Sequence, residues 1–191
     1  MNTLGDRFAH GWNSLPEELK LKILEFNLVK AEPIAKDESG HSVSSLSNLC
    51  KHLAMGPEIA RLSLEVYYTS NHFVLEAHNG CIKLPPLAVR SLIRSIILKV
   101  RCGTGPWRII QSFASGKYRF TKIVYIVVRF SCSWLAPPVS RLLIQLRKLP
   151  VHFECKGSVE LETDPDREHE QYIVLKKRRE RTLRKIITFA G

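Results

Sequence analysis

The chain has 191 residues, 45% of them hydrophobic and 25% charged, with a formal net charge of +11. That balance excludes a wholly disordered polymer. The longest apolar run, Ile123 to Val128, is far short of the roughly 20 residues that a membrane helix needs. The start carries neither a basic nor an apolar leader segment, so the expected location is intracellular, nuclear and/or cytoplasmic.

Five cysteines lie far apart at 50, 81, 102, 132 and 155, with no CxxC. The isolated pairs His78/Cys81 and Cys50/His52 lack a second ligand pair, so no metal and no cofactor is expected. Free thiols, several of them buried as small hydrophobes, are the plain reading. The charge is lopsided. Residues 1–95 hold 10 Lys and Arg against 10 Asp and Glu, whereas residues 96–191 hold 19 against 8. The whole excess belongs to the second half, where a polyanion, an acidic partner or a targeting receptor would find it.

In chain order, residues 1–11 show no periodicity and should fray. Ser14 and Glu17 have capping-box spacing, with Pro16 tolerable in the first turn, so a helix is predicted from there. Leu15, Leu19, Ile23, Leu24 and Leu28 recur at helical spacing, and Glu18, Lys20, Lys22 and Glu25 supply the wet positions. The helix should stop before Pro33, and residues 31–42 read as a polar loop. A second helix over about 44–54 should bury Leu46, Leu49, Cys50 and Leu53. Pro57 then opens a third with Ile59, Leu62, Val66 and Tyr67 on one face.

The pattern next turns to strands, at about 72–76, 95–100, 122–130 and 151–155, with short helices between them and Val159–Glu162 pairing nearby. The last three clear strands begin near 96, 123 and 151, 27 to 28 residues apart, a period that suits a degenerate leucine-rich-repeat-like array or an ordinary βαβα sheet. Either way the strands should be mostly parallel. Pro137-Pro138 should open a helix carrying Leu142, Leu143 and Leu146. Asp164-Pro165-Asp166 is a turn before a last helix, with seven cations between Lys176 and Lys185. The expected class is α+β or α/β, organised as a helical module at 12–70, a strand-helix repeat region at 71–163 and a basic C-terminal helix at 164–191.

Trp12-Asn13-Ser14-Leu15-Pro16-Glu17-Glu18-Leu19, running on to Ile23-Leu24, resembles the opening of an F-box. Leu46-Ser-Asn-Leu49-Cys50-Lys51 is similar to that family's second helix. Leu64-Glu65-Val66-Tyr67-Tyr68 with Asn71-x-Phe73 resembles a group of fungal F-box-like proteins. The resemblance covers about residues 12–75. It implies a three-helix module that docks on a Skp-type adaptor of cullin ubiquitin ligases, and an α/β region that recruits a target protein. Leu15, Pro16, Leu19, Ile23 and Leu24 are the residues it would place at the adaptor. Leu19, Ile23 and Leu24 could instead pack internally against Leu49, Ile59 and Leu62, as helical stripes commonly do, whereas Leu15 and Pro16 stand at the end of the helix.

No GxSxG, HExxH, GxGxxG or phosphate-loop motif occurs, so enzymatic activity is not expected. The alternative function is that of a basic nucleic-acid-binding protein whose N-terminal helices are only structural. Lys176, Lys177, Arg178 and Arg179 could form a solvated helix end, a nuclear import signal or a polyanion contact. Tyr118, Phe120 and Phe130, interleaved with Lys117, Arg119, Lys122 and Arg129, could serve either as a base-stacking platform or as core.

Overall fold

The computed structural model describes residues 3–35, 43–78, 80–101, 104–131, 143–144, 146–162 and 170–190. The chain divides into two compact units, 1–71 and 72–191. It is an α+β protein with a mostly parallel sheet.

The first unit contains helices α1 (Thr3–Ser14), α2 (Glu17–Leu28), α3 (Val43–Leu53) and α4 (Pro57–Ser70), with a short strand β1 (Ile34–Ala35) between α2 and α3. The lead-in does not fray as expected. Phe8 and Trp12, one helical turn apart, stack at 6.1 Å between ring centroids, and the buried Trp12 ties α1 into the core. Nor does the capping box form. Ser14 ends α1, and its hydroxyl donates to the Gly11 carbonyl at 2.8 Å. Pro16, at φ −57° and ψ 149°, is extended and stands before α2 as its cap.

Leu24 and Leu28 from α2, Leu49 from α3, and Ile59, Leu62, Val66 and Tyr67 from α4 make the core. Leu46, Leu53 and Cys50, expected inside, are exposed on α3 because only the turn around Leu49 faces α4. Gly56 takes a φ of 137°, closed to other residues, and hands the chain to Pro57 at the start of α4. Asn71 closes the unit. Its amide donates to the carbonyls of Leu28 (3.1 Å) and Tyr67 (2.9 Å), and its oxygen accepts the Lys30 N–H (2.8 Å).

The second unit contains β2 (His72–His78), β3 (Cys81–Ile82), α5 (Leu87–Arg90), β4 (Ser95–Val100), α6 (Thr104–Ala114), β5 (Tyr125–Phe130), β6 (Val151–Phe153), β7 (Lys156–Leu161), α7 (Glu170–Ile186) and β8 (Ile187–Phe189). The sheet runs β3-β2-β4-β5-β7, parallel throughout except for β3 against β2. Its register builds rows of like residues. Phe73, Ile96 and Ile126 align, as do Leu75, Leu98, Val128 and Val159, and then Ala77, Val100, Phe130 and Leu161. All of these are buried, and they form the face that holds the unit together.

The expected strand at 151–155 is shorter and lies elsewhere. β6 pairs in parallel with β8 as a separate ribbon, and β7 takes the fourth parallel place. Paired residues Phe73, Ile96, Ile126 and Gly157 are therefore 23, 30 and 31 residues apart, not at one even period. Phe189, on β8, lies over Gly157, where a side chain would collide with its ring. Phe113 gathers Tyr118 and Phe120 at centroid distances of 4.8 and 5.3 Å, and Phe130 is fully buried. Of the three candidate stacking residues, Phe130 is withdrawn into the core, whereas Tyr118 and Phe120 are half-buried against Phe113.

Of the predicted helix after Pro137-Pro138, Leu143 and Leu146 are buried. Residues 137–142, Cys102, Cys132 and the turn at 164–166 lie outside the described residues. No described helix is long and apolar enough to cross a membrane.

Candidate functional site

The helix α2 carries two apolar faces, and a single helix can bury only one of them against its own unit. Lys20, Leu24 and Leu28 share the inner face. Leu19, Ile23 and Phe26 share the outer face, 45%, 44% and 92% exposed. Glu17 and Glu18 occupy the first turn, where carboxylates favour the helix dipole, and the Leu19 and Lys20 N–H groups donate to the Pro16 carbonyl. Pro16 thereby fixes the start of the helix while its ring stands in solvent.

Lys20, expected to be wet, is buried. Its ammonium donates to Glu58 Oε1 at 3.0 Å and lies 5.8 Å from the centre of the Trp12 ring. Trp12 Nε1 donates to the other Glu58 oxygen at 3.1 Å. Three helices thus meet on one carboxylate, and this cluster holds the outer face of α2 in position. The Lys20 hydrogen bond draws the Glu58 carboxyl below the ordinary glutamate range, helped by the Trp12 N–H and by the charges of Lys20 and Arg61, against a desolvation effect of opposite sign.

A lowered carboxyl stabilises the fold above its unfolded value, and that contribution disappears as the pH falls through the folded value. Acidification below the ordinary glutamate range should therefore weaken the first unit. In Glu58→Gln this component of the pH dependence should be absent. Urea unfolding across an acid series checks it; parallel curves for the two proteins would remove Glu58 as the cause.

Two depressions flank the outer face. One, of about 510 Å³, is lined by Phe8, Trp12, Leu15, Ile23, Leu24 and Met55 among others. The second, of about 360 Å³, runs along Leu15, Leu19, Ile23 and Phe26. Of the residues singled out by resemblance, Leu15, Leu19 and Ile23 thus come together on one surface, and the exposed Pro16 stands at the start of the same helix. Leu24 lines the first depression from below but is 1% exposed in the core, because it is in phase with Lys20 and Leu28. Phe26, the most exposed large apolar side chain described, continues the stripe from Leu19 and Ile23 and was legible at that spacing.

In the second unit, the other face of the sheet carries a buried apolar cluster of Val74, Ile97 and Val127, followed along the strands by a row of charges. Lys99 lies 3.9 Å from Glu76 and 3.8 Å from Glu162, and Arg129 lies 2.9 Å from Glu160. A cleft of about 380 Å³ opens beside them at the carboxyl ends of the strands, lined also by Arg101 and Ser131. These charges lie close enough to neutralise one another. His72 and Ser95 share a 2.6 Å hydrogen bond at the opposite strand ends. Among the described residues, no group of three or more His, Cys, Asp or Glu could hold a metal.

The basic run is divided by the helix that carries it. Arg179 is 6% exposed because it shares the inner phase of α7 with Leu183 and Ile186. Lys176 is half-buried, and Lys177 and Arg178 are exposed. The accessible cations are therefore a helical face, not a contiguous tetrad. The chain matches no known protein-family model, no curated protein and no solved structure.

Proposed function

We propose that the first unit is a protein-docking module whose partner is an adaptor of the Skp type, and that the second unit recruits a target to a cullin ubiquitin ligase. The observation that carries this reading is the outer face of α2, where Leu19, Ile23 and Phe26 stand in water beside Leu15 and Pro16. A run of large apolar side chains at i, i+4 and i+7 on an exposed helix is how a helix presents itself to a partner's groove. Burying each such side chain gains about 1.5–3 kcal/mol, so leaving this surface wet is costly unless a partner covers it.

The F-box resemblance of residues 12–24 supplies the partner class, and the exposed face supplies the contact. Replacing Leu19, Ile23 and Phe26 together with Ala should weaken capture of a purified Skp-type adaptor at least tenfold, since central apolar anchors commonly contribute about 2 kcal/mol or more. Far-UV circular dichroism should be unchanged, because none of the three is needed by the core. Titration calorimetry of the full chain with the adaptor decides it. No heat with the unaltered protein, or equal affinity in the variant, would sink the reading.

A further inference from the structure

A second surface lies on α7 and is independent of the adaptor reading. Residues 72–191 carry 22 Lys and Arg against 9 Asp and Glu, whereas residues 1–71 carry 7 against 9. On α7 that excess is sorted by helical phase. Lys177, Arg178, Arg181, Arg184 and Lys185 are all exposed. At 3.6 residues per turn they fall within an arc of about 120°, and they span about 12 Å along the axis.

The one acid within the run, Glu180, is turned away from this face, and its Oε1 accepts the Leu161 N–H at 3.1 Å. Arg184 rests one N–H on the Val159 carbonyl at 3.4 Å. Among the described residues, none of the five cations has a carboxylate within ion-pair distance.

We infer that this face of α7 binds the phosphate backbone of double-stranded DNA. Charge complementarity names a polyanion, and the remaining chemistry of the face selects which one. An anionic membrane needs an apolar helix face to insert, but the apolar face of α7, with Leu183 and Ile186, is buried in its own unit. An acidic protein needs apolar anchors at the centre of the contact, and only Ile173 and Val174, at one end of the stripe, are apolar and exposed. A single strand needs aromatic rings on which bases stack, and the described stripe has none.

Backbone contact with a duplex needs cations alone. Three of the five are arginines, whose planar fork suits phosphate oxygens. The major groove of B-DNA is about 12 Å wide and admits a helix, whereas the deep, narrow groove of duplex RNA does not. Recognition of this kind is blind to sequence.

The test is fluorescence anisotropy of the full chain with a mixed-sequence DNA duplex over a salt series. Five phosphate contacts give a slope of log K against log salt of about −4.5, a loss of about 500-fold in affinity between 50 and 200 mM. Neutralising Lys177, Arg178 and Arg181 together to Gln should reduce the slope by about 2.7. The same charge change at Arg108, Lys117 and Lys122, exposed on α6 and in the segment that follows it, should leave it unaltered. A third variant, Arg178→Lys with Arg181→Lys, keeps the charge and the slope, which separates loss of contact from damage to the helix. The inference is overturned by an unchanged slope in the stripe variant, by an equal loss in the off-stripe variant, or by equal affinity for a duplex RNA.

Discussion

Gly157→Ala should cost the second unit about 3 kcal/mol of stability and lower its melting temperature by roughly 10 °C. A Cβ at position 157 would meet the Ile126 carbonyl oxygen and two ring atoms of Phe189, Cδ1 and Cε1, both at 2.5 Å. Real Cβ atoms do not come so close, and neither neighbour can easily move. Ile126 is itself fully buried on a strand paired on both sides, and Phe189 stacks on Phe153 at 5.5 Å. Either the ladder between β5 and β7 opens, or the half-buried Phe189 ring is displaced from its stack on Phe153 and loses part of its burial. The pairing of Gly157 with Phe189 can be read from a double variant. Gly157→Ala combined with Phe189→Leu should recover part of the loss, because the smaller side chain relieves one of the two collisions. Calorimetry with the unfolding of each unit resolved would check it. A Gly157→Ala protein as stable as its parent would refute the packing argument outright.

That glycine also shows why some of the fold escapes a reading of the chain. β4 and β5 are dense in β-branched residues and announce themselves, as do the stripe of α4 and the Gly56-Pro57 break. Lys-Gly-Ser-Val-Glu-Leu at 156–161 has no such density. It is a strand because the sheet and the Phe189 ring lie on either side of Gly157, and those are tertiary facts. Val-His-Phe at 151–153 looks the better strand, yet among the described residues it pairs with β8 alone, apart from the main sheet.

The same limit applies to the sites. Helical spacing found the apolar residues of α2 but could not divide them. Residues 19, 23 and 26 and residues 20, 24 and 28 are equally periodic, and the burial of Lys20 decides which set faces inward. Its partner, Glu58, is 38 residues away, so no local charge pattern could reveal it. Arg179 was likewise counted with its neighbours because composition has no phase, whereas a helix does. α1 was the avoidable loss, since Leu4, Phe8 and Trp12 recur at i, i+4 and i+8 in a segment otherwise mostly polar or small.

Asn71→Ala should destabilise the first unit by about 3 kcal/mol, much more than its place at the edge of a helix suggests. One buried amide serves three backbone groups. It donates to the last turn of α4 through Tyr67 and to the end of α2 through Leu28, and it accepts from Lys30 just beyond. Each of these hydrogen bonds contributes about 1 kcal/mol net, and backbone groups left buried without a partner cost more. Ala supplies neither a donor nor an acceptor.

Asn71→Asp separates the two roles. The carboxylate still accepts from Lys30, but it loses both donors and turns negative charge against two carbonyl oxygens. At neutral pH it should be at least as damaging as Ala. Such a carboxyl is pushed above its ordinary value by burial and by the carbonyls, so the charged form opposes folding, and stability returns as the pH falls through the raised folded value. The protonated acid then restores one O–H donor. Urea midpoints of the parent and both variants, at neutral and mildly acidic pH, give the result. Recovery of the Asp variant alone on acidification marks Asn71 as the hydrogen-bonded clasp between the ends of α2 and α4, and a loss below about 1 kcal/mol in the Ala variant would show that water can take its place.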